Sequence, residues 1–296
     1  MESKRGGIDL HAHTTASDGS LSPTELVEKA ARLGLEALAV TDHDTIAGLA
    51  EAVAAAKDRS IELIPGVELS VEDESGRFHM LGYGVDPGNA LLLTTLERLR
   101  AARARRNDRI MDRVRELGLP IAWDDVLRQA GDGGEVVARP HFAAALIEKG
   151  AAASVSEAFD RYLSPGRPLY FPKSVLSPAE AAGYLHQSGA VAVMAHPGLS
   201  KWSDPARLQA RLEELRADAG LDGLEVYYNK HETAQEEAYA AVAERVGLFA
   251  TGGSDFHGTP KPDVALGDVR CGLPAPAELL GPLKDALRRK REAVRS

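Results

Sequence analysis

Ile8-Asp9-Leu10-His11-Ala12-His13 reads as a short strand, and the helix and strand after it set the architecture. Leu21-Ser22-Pro23-Thr24-Glu25 carries the marks of a helix start. Ser22 can cap, Pro23 suits the first helical position, and Glu25 stands where a capping box places its carboxylate. Leu26, Ala30 and Leu33 recur at helical spacing, and Gly34 closes the helix. Ala37-Leu38-Ala39-Val40-Thr41 is a second, buried strand. Strand, helix and strand in this order predict two parallel strands joined by a crossover helix.

The same rhythm extends outward. A helix is expected over 46–58, then a strand region at Leu63 to Leu69 and a strand paired with it at Phe78 to Tyr83. After Asp86-Pro87-Gly88 the alternation stops. A long arginine-rich helix over 91–118 is succeeded by helical pieces over 123–129, 141–149 and 156–163, which predicts an all-α insertion. Leu176-Ser177-Pro178-Ala179-Glu180 repeats the first helix start almost letter for letter, and is read as a second good cap. Strands at Val191 to Ala195, Gly223 to Tyr227 and Phe249 to Gly252 alternate with helices over 205–219 and 233–246. The number of units favours a small α/β barrel over a doubly wound sheet. Three segments are expected: barrel over 1–87, helical insertion over 88–175, barrel again over 176–296.

Composition narrows the classes. The 296 residues are 44% hydrophobic and 27% charged, as an ordinary globular protein is, and the formal net charge is -9. That balance disfavours bulk electrostatic binding of nucleic acid. Cys271 is the single cysteine, so cysteine-rich zinc modules and intrachain disulfides are excluded, and a reducing cytoplasm fits. The start lacks an apolar signal region and no apolar run is long enough to span a bilayer, so no membrane partner is expected. No dinucleotide fingerprint, P-loop or nucleophile-elbow motif is present.

The chemistry lies in where histidine falls. His11 and His13, two apart on one strand, share a side of the sheet. Asp18 stands in the adjoining loop. Later strands run into Thr41-Asp42-His43-Asp44, Gly66-Val67-Glu68, Ala195-His196-Pro197 and Gly253-Ser254-Asp255-Phe256-His257, and His79 lies on the paired strand. Six of nine histidines thus gather where barrel enzymes keep their chemistry. So many imidazoles and carboxylates together call for divalent cations, for which both are normal ligands. His186, inside a helix, and His231, before one, carry no such signal.

These motifs resemble, in order, those of the polymerase-and-histidinol-phosphatase (PHP) phosphoesterases. The resemblance implies a distorted (β/α)7 barrel. The helical insertion with Ala138-Arg139-Pro140-His141-Phe142 is similar to that of a branch acting on 3',5'-nucleotide bisphosphates or trimming RNA from the 5' end. Carried over residue by residue, the resemblance implies three divalent ions, of manganese, iron or zinc. One would be held by His11, His13, Glu68 and Asp255, a second by Glu68, His79 and His196, a third by Asp18, His43 and His257. The implied reaction is metal-assisted hydrolysis by an activated water, with no serine or cysteine nucleophile.

Arg139 and His141 are the expected contacts to a second phosphate, with Lys173 a further one. The expected substrate is a small phosphorylated metabolite, foremost a nucleotide. Alternatives are a 5'-3' exoribonuclease on short RNA 5' ends, a histidinol-phosphate phosphatase, and a structural module without activity. Asp9 and Asp42 either orient imidazoles or cap strand ends. The arginine-rich helix, its cations interleaved with Glu97, Asp108, Asp112 and Glu116, reads as a solvated face over a broken apolar stripe.

Overall fold

The two Ser-Pro-X-Glu starts form the caps their residues predict. Ser22 Oγ accepts from Glu25 N at 3.2 Å while Glu25 Oε2 accepts from Ser22 N at 2.8 Å, and Ser177 with Glu180 repeats the arrangement. In the computed structural model, which describes residues 6–130, 137–172, 175–270 and 272–295, these caps begin α1 (Pro23–Leu33) and α7 (Pro178–Gln187). The other helices are α2 (Leu49–Ala56), α3 (Ala90–Glu116), α4 (Trp123–Ala130), α5 (Arg139–Glu148), α6 (Val155–Ala158), α8 (Pro205–Ala219), α9 (Thr233–Val246) and α10 (Leu280–Arg295). A π-helical turn, Phe159–Leu163, continues α6.

Seven strands lie in one sheet in chain order: β1 (Ile8–Asp9), β2 (Ala37–Val40), β3 (Glu62–Asp73), β4 (Gly76–Tyr83), β5 (Val191–Met194), β6 (Gly223–Tyr228) and β7 (Phe249–Gly253). All neighbours are parallel except β4, which is antiparallel to β3 and to β5. The first and last strands meet as well. Leu10 N donates to Gly252 O at 3.0 Å and Asp255 N to His11 O at 2.8 Å. The result is a nearly closed barrel, as expected. Only glycine permits this closure at position 253, where a Cβ would lie 2.3 Å from that of His11.

Period-two alternation sorts the strand faces. Leu81 and Tyr83 of β4 and Ile64 of β3 join Ile8, Ala37, Ala39, Val191 and Val193 in one buried cluster. His79 and Glu68 have the same parity on the same two strands, so this face is apolar toward one end and polar toward the other. α10 packs Leu283 and Ala286 into the apolar end. That helix is an addition to the elements expected from sequence, although Leu280, Leu283, Ala286 and Leu287 have helical spacing. α2 starts three residues later than expected, because Thr45 Oγ1 accepts from Ala47 N and holds a turn before Gly48.

The chain divides into two compact units, 1–94 with 175–296, and 95–174. The second unit has its own core, with Ile110, Val114, Val126, Phe142 and Leu146 at its centre. One expectation about α3 needs correction. Its buried stripe is unbroken, because Arg103 and Arg106 are themselves buried and, with Asn107, fill the gap between Leu99 and Ile110. Asn107 Oδ1 accepts from Arg106 and its amide donates to Val137 O, so the polar insert is hydrogen-bonded. Arg98, Arg100, Arg105, Arg109 and Arg115 are exposed, as a solvated face requires.

Candidate metal centre

Loops at the strand ends place seven of the nine candidate ligands, whereas Glu68 and His79 lie inside β3 and β4, because β3 pairs with β4 beyond its expected end at Leu69 and runs on to Asp73. His11 and His13 come directly after β1, and their rings lie 5.2 Å apart. Asp42, after β2, accepts from Thr14 N, Thr14 Oγ1 and Ser17 Oγ at 2.6–2.8 Å, which folds the loop that presents Asp18. Asp9 accepts from Ser254 N and Oγ and from Gly267 N, tying β1 to the segment that carries Asp255. Neither carboxylate has a hydrogen bond to an imidazole, so the loop-holding reading of Asp9 and Asp42 replaces that of imidazole orientation. Asp44, His196 and Asp255 are the non-glycine residues with positive φ among those described, and all three lie at this site. Such strain persists only where surrounding bonds hold it.

Glu68 is the centre of the constellation. Its side chain is fully buried and five imidazoles surround it. Oε2 is 3.4 Å from His11 Nε2, 3.3 Å from His13 Nε2 and 2.9 Å from His43 Nδ1. Oε1 is 2.8 Å from His79 Nδ1 and 3.1 Å from His196 Nε2. Asp255 Oδ1 is 3.6 Å and 3.3 Å from the Nε2 atoms of His11 and His13. Asp18 approaches His13, His43 and His257 at 3.3–3.8 Å. All nine predicted ligand residues are therefore brought together. The ligand atoms of eight of them fall into three overlapping groups: His13, Asp18, His43 and His257; His11, His13 and Asp255; His43, Glu68 and His79; His196 belongs to none and reaches the nest through Glu68 Oε1. His13 and His43 thus each serve two groups.

The fit to metal ions rests on orphaned atoms. His11 Nε2, both nitrogens of His13, His43 Nδ1, His79 Nδ1 and Glu68 Oε2 are buried and make no hydrogen bond. They sit near hydrogen-bond distance of one another without hydrogen-bond geometry, within groups whose ligand atoms lie no more than 4.8 Å apart. Leaving that many buried polar atoms unpaired is costly. Divalent cations would satisfy them together.

The charges of the metal-free site are set by the same crowding. Burial pushes the Glu68 carboxyl up, but the imidazoles of His43, His79 and His11 outweigh it and hold the group well below the carboxylate range. Burial pushes His13 down, but Asp255 and Glu68 outweigh it and raise it to about 9. His257 goes the other way, down to about 4, through burial and the neighbouring His13. These shifts make the stability of the metal-free fold depend on pH. The proton on His13 stabilises it fully below the unfolded value of 6.5, and that contribution is lost as pH rises through about 9. His257 destabilises the fold as pH falls from 6.5 toward about 4, because only the unfolded chain takes up its proton. The melting temperature of metal-free protein is expected to peak near neutral pH and decline toward pH 9. Apparent metal affinity is expected to rise over that window, since bound imidazoles must be neutral. A calorimetric scan showing stability climbing steadily to pH 9 would contradict the assignment.

Three contributors carry no clear signal in the sequence. Glu225 on β6 is fully buried; its Oε1 is 2.9 Å from His11 Nδ1 and its Oε2 accepts from His196 N at 2.6 Å. A carboxylate inside the apolar strand Gly223 to Tyr228 is the one available hint. Tyr228 OH donates to Asp255 Oδ2 at 3.1 Å, and Lys261 Nζ donates to the same oxygen at 2.7 Å. His231 is not a plain cap. Its Nδ1 donates to Val226 O and its Nε2 accepts from Gly198 N, which fixes the turn after His196. Gly198 makes this approach possible, since a Cβ there would meet the His231 ring at 2.6 Å.

In the helical unit, Arg139 Nη1 donates to Leu163 O at 3.2 Å and the guanidinium lies 5.3 Å from the Tyr170 ring centroid. His141 Nδ1 accepts from Ala138 N at 3.1 Å. Both side chains are half-buried. Lys173 and Cys271 lie outside the described residues. Among the described residues no helix is long and apolar enough to cross a membrane.

Comparison with known proteins gives a consistent set of likenesses. Residues 9–119 match the model of the PHP domain. The chain is 38% identical to a 3',5'-nucleoside bisphosphate phosphatase of Chromobacterium violaceum, over 84% of this chain and 87% of that protein. It is 36% identical to the 5'-3' exoribonuclease Rnm of Salmonella typhimurium, over 91% of each. A solved structure from Bifidobacterium adolescentis, described as a candidate metal-dependent phosphoesterase, superposes with a TM-score of 0.79 at 35% identity, covering 97% of this chain and 98% of that one.

Proposed function

This chain belongs to the PHP family, and from that premise we propose that it is a metal-dependent phosphatase of nucleotides, converting a 3',5'-bisphosphate to the 5'-monophosphate. One observation carries the reaction class: a buried carboxylate ringed by five imidazoles, four of which, His11, His13, His43 and His79, turn buried nitrogens toward the nest without a hydrogen bond. We assign three divalent ions of manganese, iron or zinc to it. His11, His13, Glu68 and Asp255 would hold the first, Glu68, His79 and His196 the second, and Asp18, His43 and His257 the third. Bound there, divalent ions supply Lewis acidity toward a phosphoryl group and make water acidic enough to serve as nucleophile near neutral pH.

The protein's own residues prepare that chemistry. Glu68 offers Oε2 to His11, His13 and His43 and Oε1 to His79 and His196, so its charge would serve ions held on either side of it. Glu225 Oε1 accepts from the Nδ1–H of His11, so the Nε2 lone pair faces inward. Burial and the Asp255 carboxylate push the Tyr228 phenol up, so it remains a donor to Asp255. Arg139 and His141, with Lys173, are assigned to the second phosphate of the substrate, for which a guanidinium is well shaped.

Similarity to the bisphosphate phosphatase supports the nucleotide substrate. Similarity to the exoribonuclease supports a second reading, removal of nucleotides from short RNA 5' ends. The deciding experiment measures manganese-loaded protein against a nucleoside 3',5'-bisphosphate, an aryl phosphate and a short 5'-phosphorylated RNA. Fastest release of phosphate from the bisphosphate is expected. Faster RNA shortening would move the assignment to the second reading, and no hydrolysis of any of the three would remove both.

Arg139→Ala is expected to lower kcat/KM for the bisphosphate by about tenfold or more, as loss of a charge-assisted contact does. The aryl phosphate, lacking the second phosphate, is expected to change little. Equal losses on both substrates would argue that Arg139 acts only through its bond to Leu163 O.

A further inference from the structure

We propose that Lys261 is the cation that binds the phosphate oxygens of the substrate at the metal centre. This role rests on the phosphoester reading and adds a residue to it. Lys261 Nζ lies 2.7 Å from Asp255 Oδ2. Among the described residues it is the one Lys or Arg whose ion pair reaches any of the nine ligand residues. The two oxygens of Asp255 face different ways. Oδ1 looks into the nest, 3.3–3.6 Å from His11, His13 and His257. Oδ2 looks out of it, toward Tyr228 OH and the ammonium of Lys261.

Asp255 has no need of that ammonium as a counter-charge. Three imidazoles and a phenol already face its carboxylate, and bound divalent ions would add more positive charge. An ammonium held beside a dication ligand is unfavourable unless an anion joins them. A phosphate monoester is such an anion. The ammonium has three donors and spends one on Asp255, its one hydrogen-bond partner among the described residues. The side chain is 37% exposed, so a ligand from solvent can reach it.

The backbone fixes where Lys261 stands. Lys261 N donates to Gly258 O and Val264 N donates to Lys261 O, both at 3.0 Å, so two successive turns meet at this residue. The same loop is tied to the segment after Asp18: Ser20 N donates to His257 O at 2.9 Å and Thr259 N to Ser20 Oγ at 3.0 Å. The cation is therefore carried by a braced loop that joins both ends of the ligand set.

Inorganic phosphate, titrated calorimetrically into metal-loaded protein, tests this without turnover. Lys261→Met is expected to weaken phosphate binding by at least about tenfold, the loss of a charge-assisted contact. Metal content, measured by elemental analysis, is expected to stay at the wild-type level. Lys261→Arg is expected to restore most of the affinity, and it also serves if the methionine variant does not fold. In kinetics KM for a phosphomonoester should rise more than kcat falls. Equal phosphate affinity in wild type and Lys261→Met overturns the proposal. So does weakened binding that merely tracks lost metal, because Lys261 would then act only through Asp255. Absence of phosphoester hydrolysis by wild type would remove the functional reading, while the phosphate titrations would still decide the role of Lys261.

Discussion

Glu68→Gln is expected to lower phosphomonoester turnover by about a thousandfold or more, the rate equivalent of losing several kcal/mol of metal-borne stabilisation. The substitution keeps the shape of the side chain and removes its charge. One amide nitrogen must then point at imidazoles whose ring nitrogens already lie 2.8–3.4 Å from the carboxylate oxygens. No orientation of the amide serves both sides, since His43 and His13 share one oxygen and His79 and His196 the other. Bound metal is expected to fall with activity in elemental analysis, and the circular dichroism spectrum is expected to stay that of wild type because the barrel core around Ile64 and Leu81 is untouched. Full metal content with near wild-type turnover would sink the assignment of Glu68 as the shared ligand.

Glu225→Gln produces the next largest effect, although Glu225 belongs to none of the metal-ligand groups. Metal affinity or activity is expected to fall roughly 10- to 100-fold, the usual scale for a partner that orients a ligating histidine. Glu225 accepts on both oxygens, from the His11 ring and from the backbone N–H of His196. A glutamine accepts on one only. If its oxygen keeps His11, its NH2 meets the N–H of His196, whose backbone is already strained at φ +30°. If the amide is turned, His11 loses the acceptor that fixes its tautomer. Metal titration of the variant separates these from a folding defect. Unchanged metal affinity would show that His11 and His196 hold their geometry without Glu225.

Most of the candidate ligands are legible in the sequence because they follow a strand end, where a barrel collects its chemistry; Glu68 and His79 stand instead inside the long β3–β4 pair. His11 and His13 can be assigned to one side from their spacing alone. His79 can be added because Phe78 to Tyr83 reads as a strand beside the one that carries Glu68. The caps at Ser22 and Ser177 are equally plain, since a capping box is contained within four residues. Glu225 is not legible in the same way. Nothing in Gly223 to Tyr228 says which of its faces meets His11, more than two hundred residues earlier in the chain. Arg103 and Arg106 read as solvated because charge ordinarily is, and only their burial beside Asn107 shows otherwise. α10 is hard to see because its arginines and lysines mask a short apolar spacing.

Sequence alone therefore determined the order of the strands and of the helices before α10, the helical insertion and the candidate metal-binding side chains. These depend on hydrophobic period, local capping and residue chemistry, which act over a few residues. The tertiary structure decided who meets whom: Glu68 encircled by five imidazoles, Asp9 and Asp42 spent on loops, Glu225 behind His11, and Lys261 on the outer oxygen of Asp255. Those pairings depend on strand register and on closure of β1 against β7. Both are set by packing across the whole sheet, which no local pattern encodes.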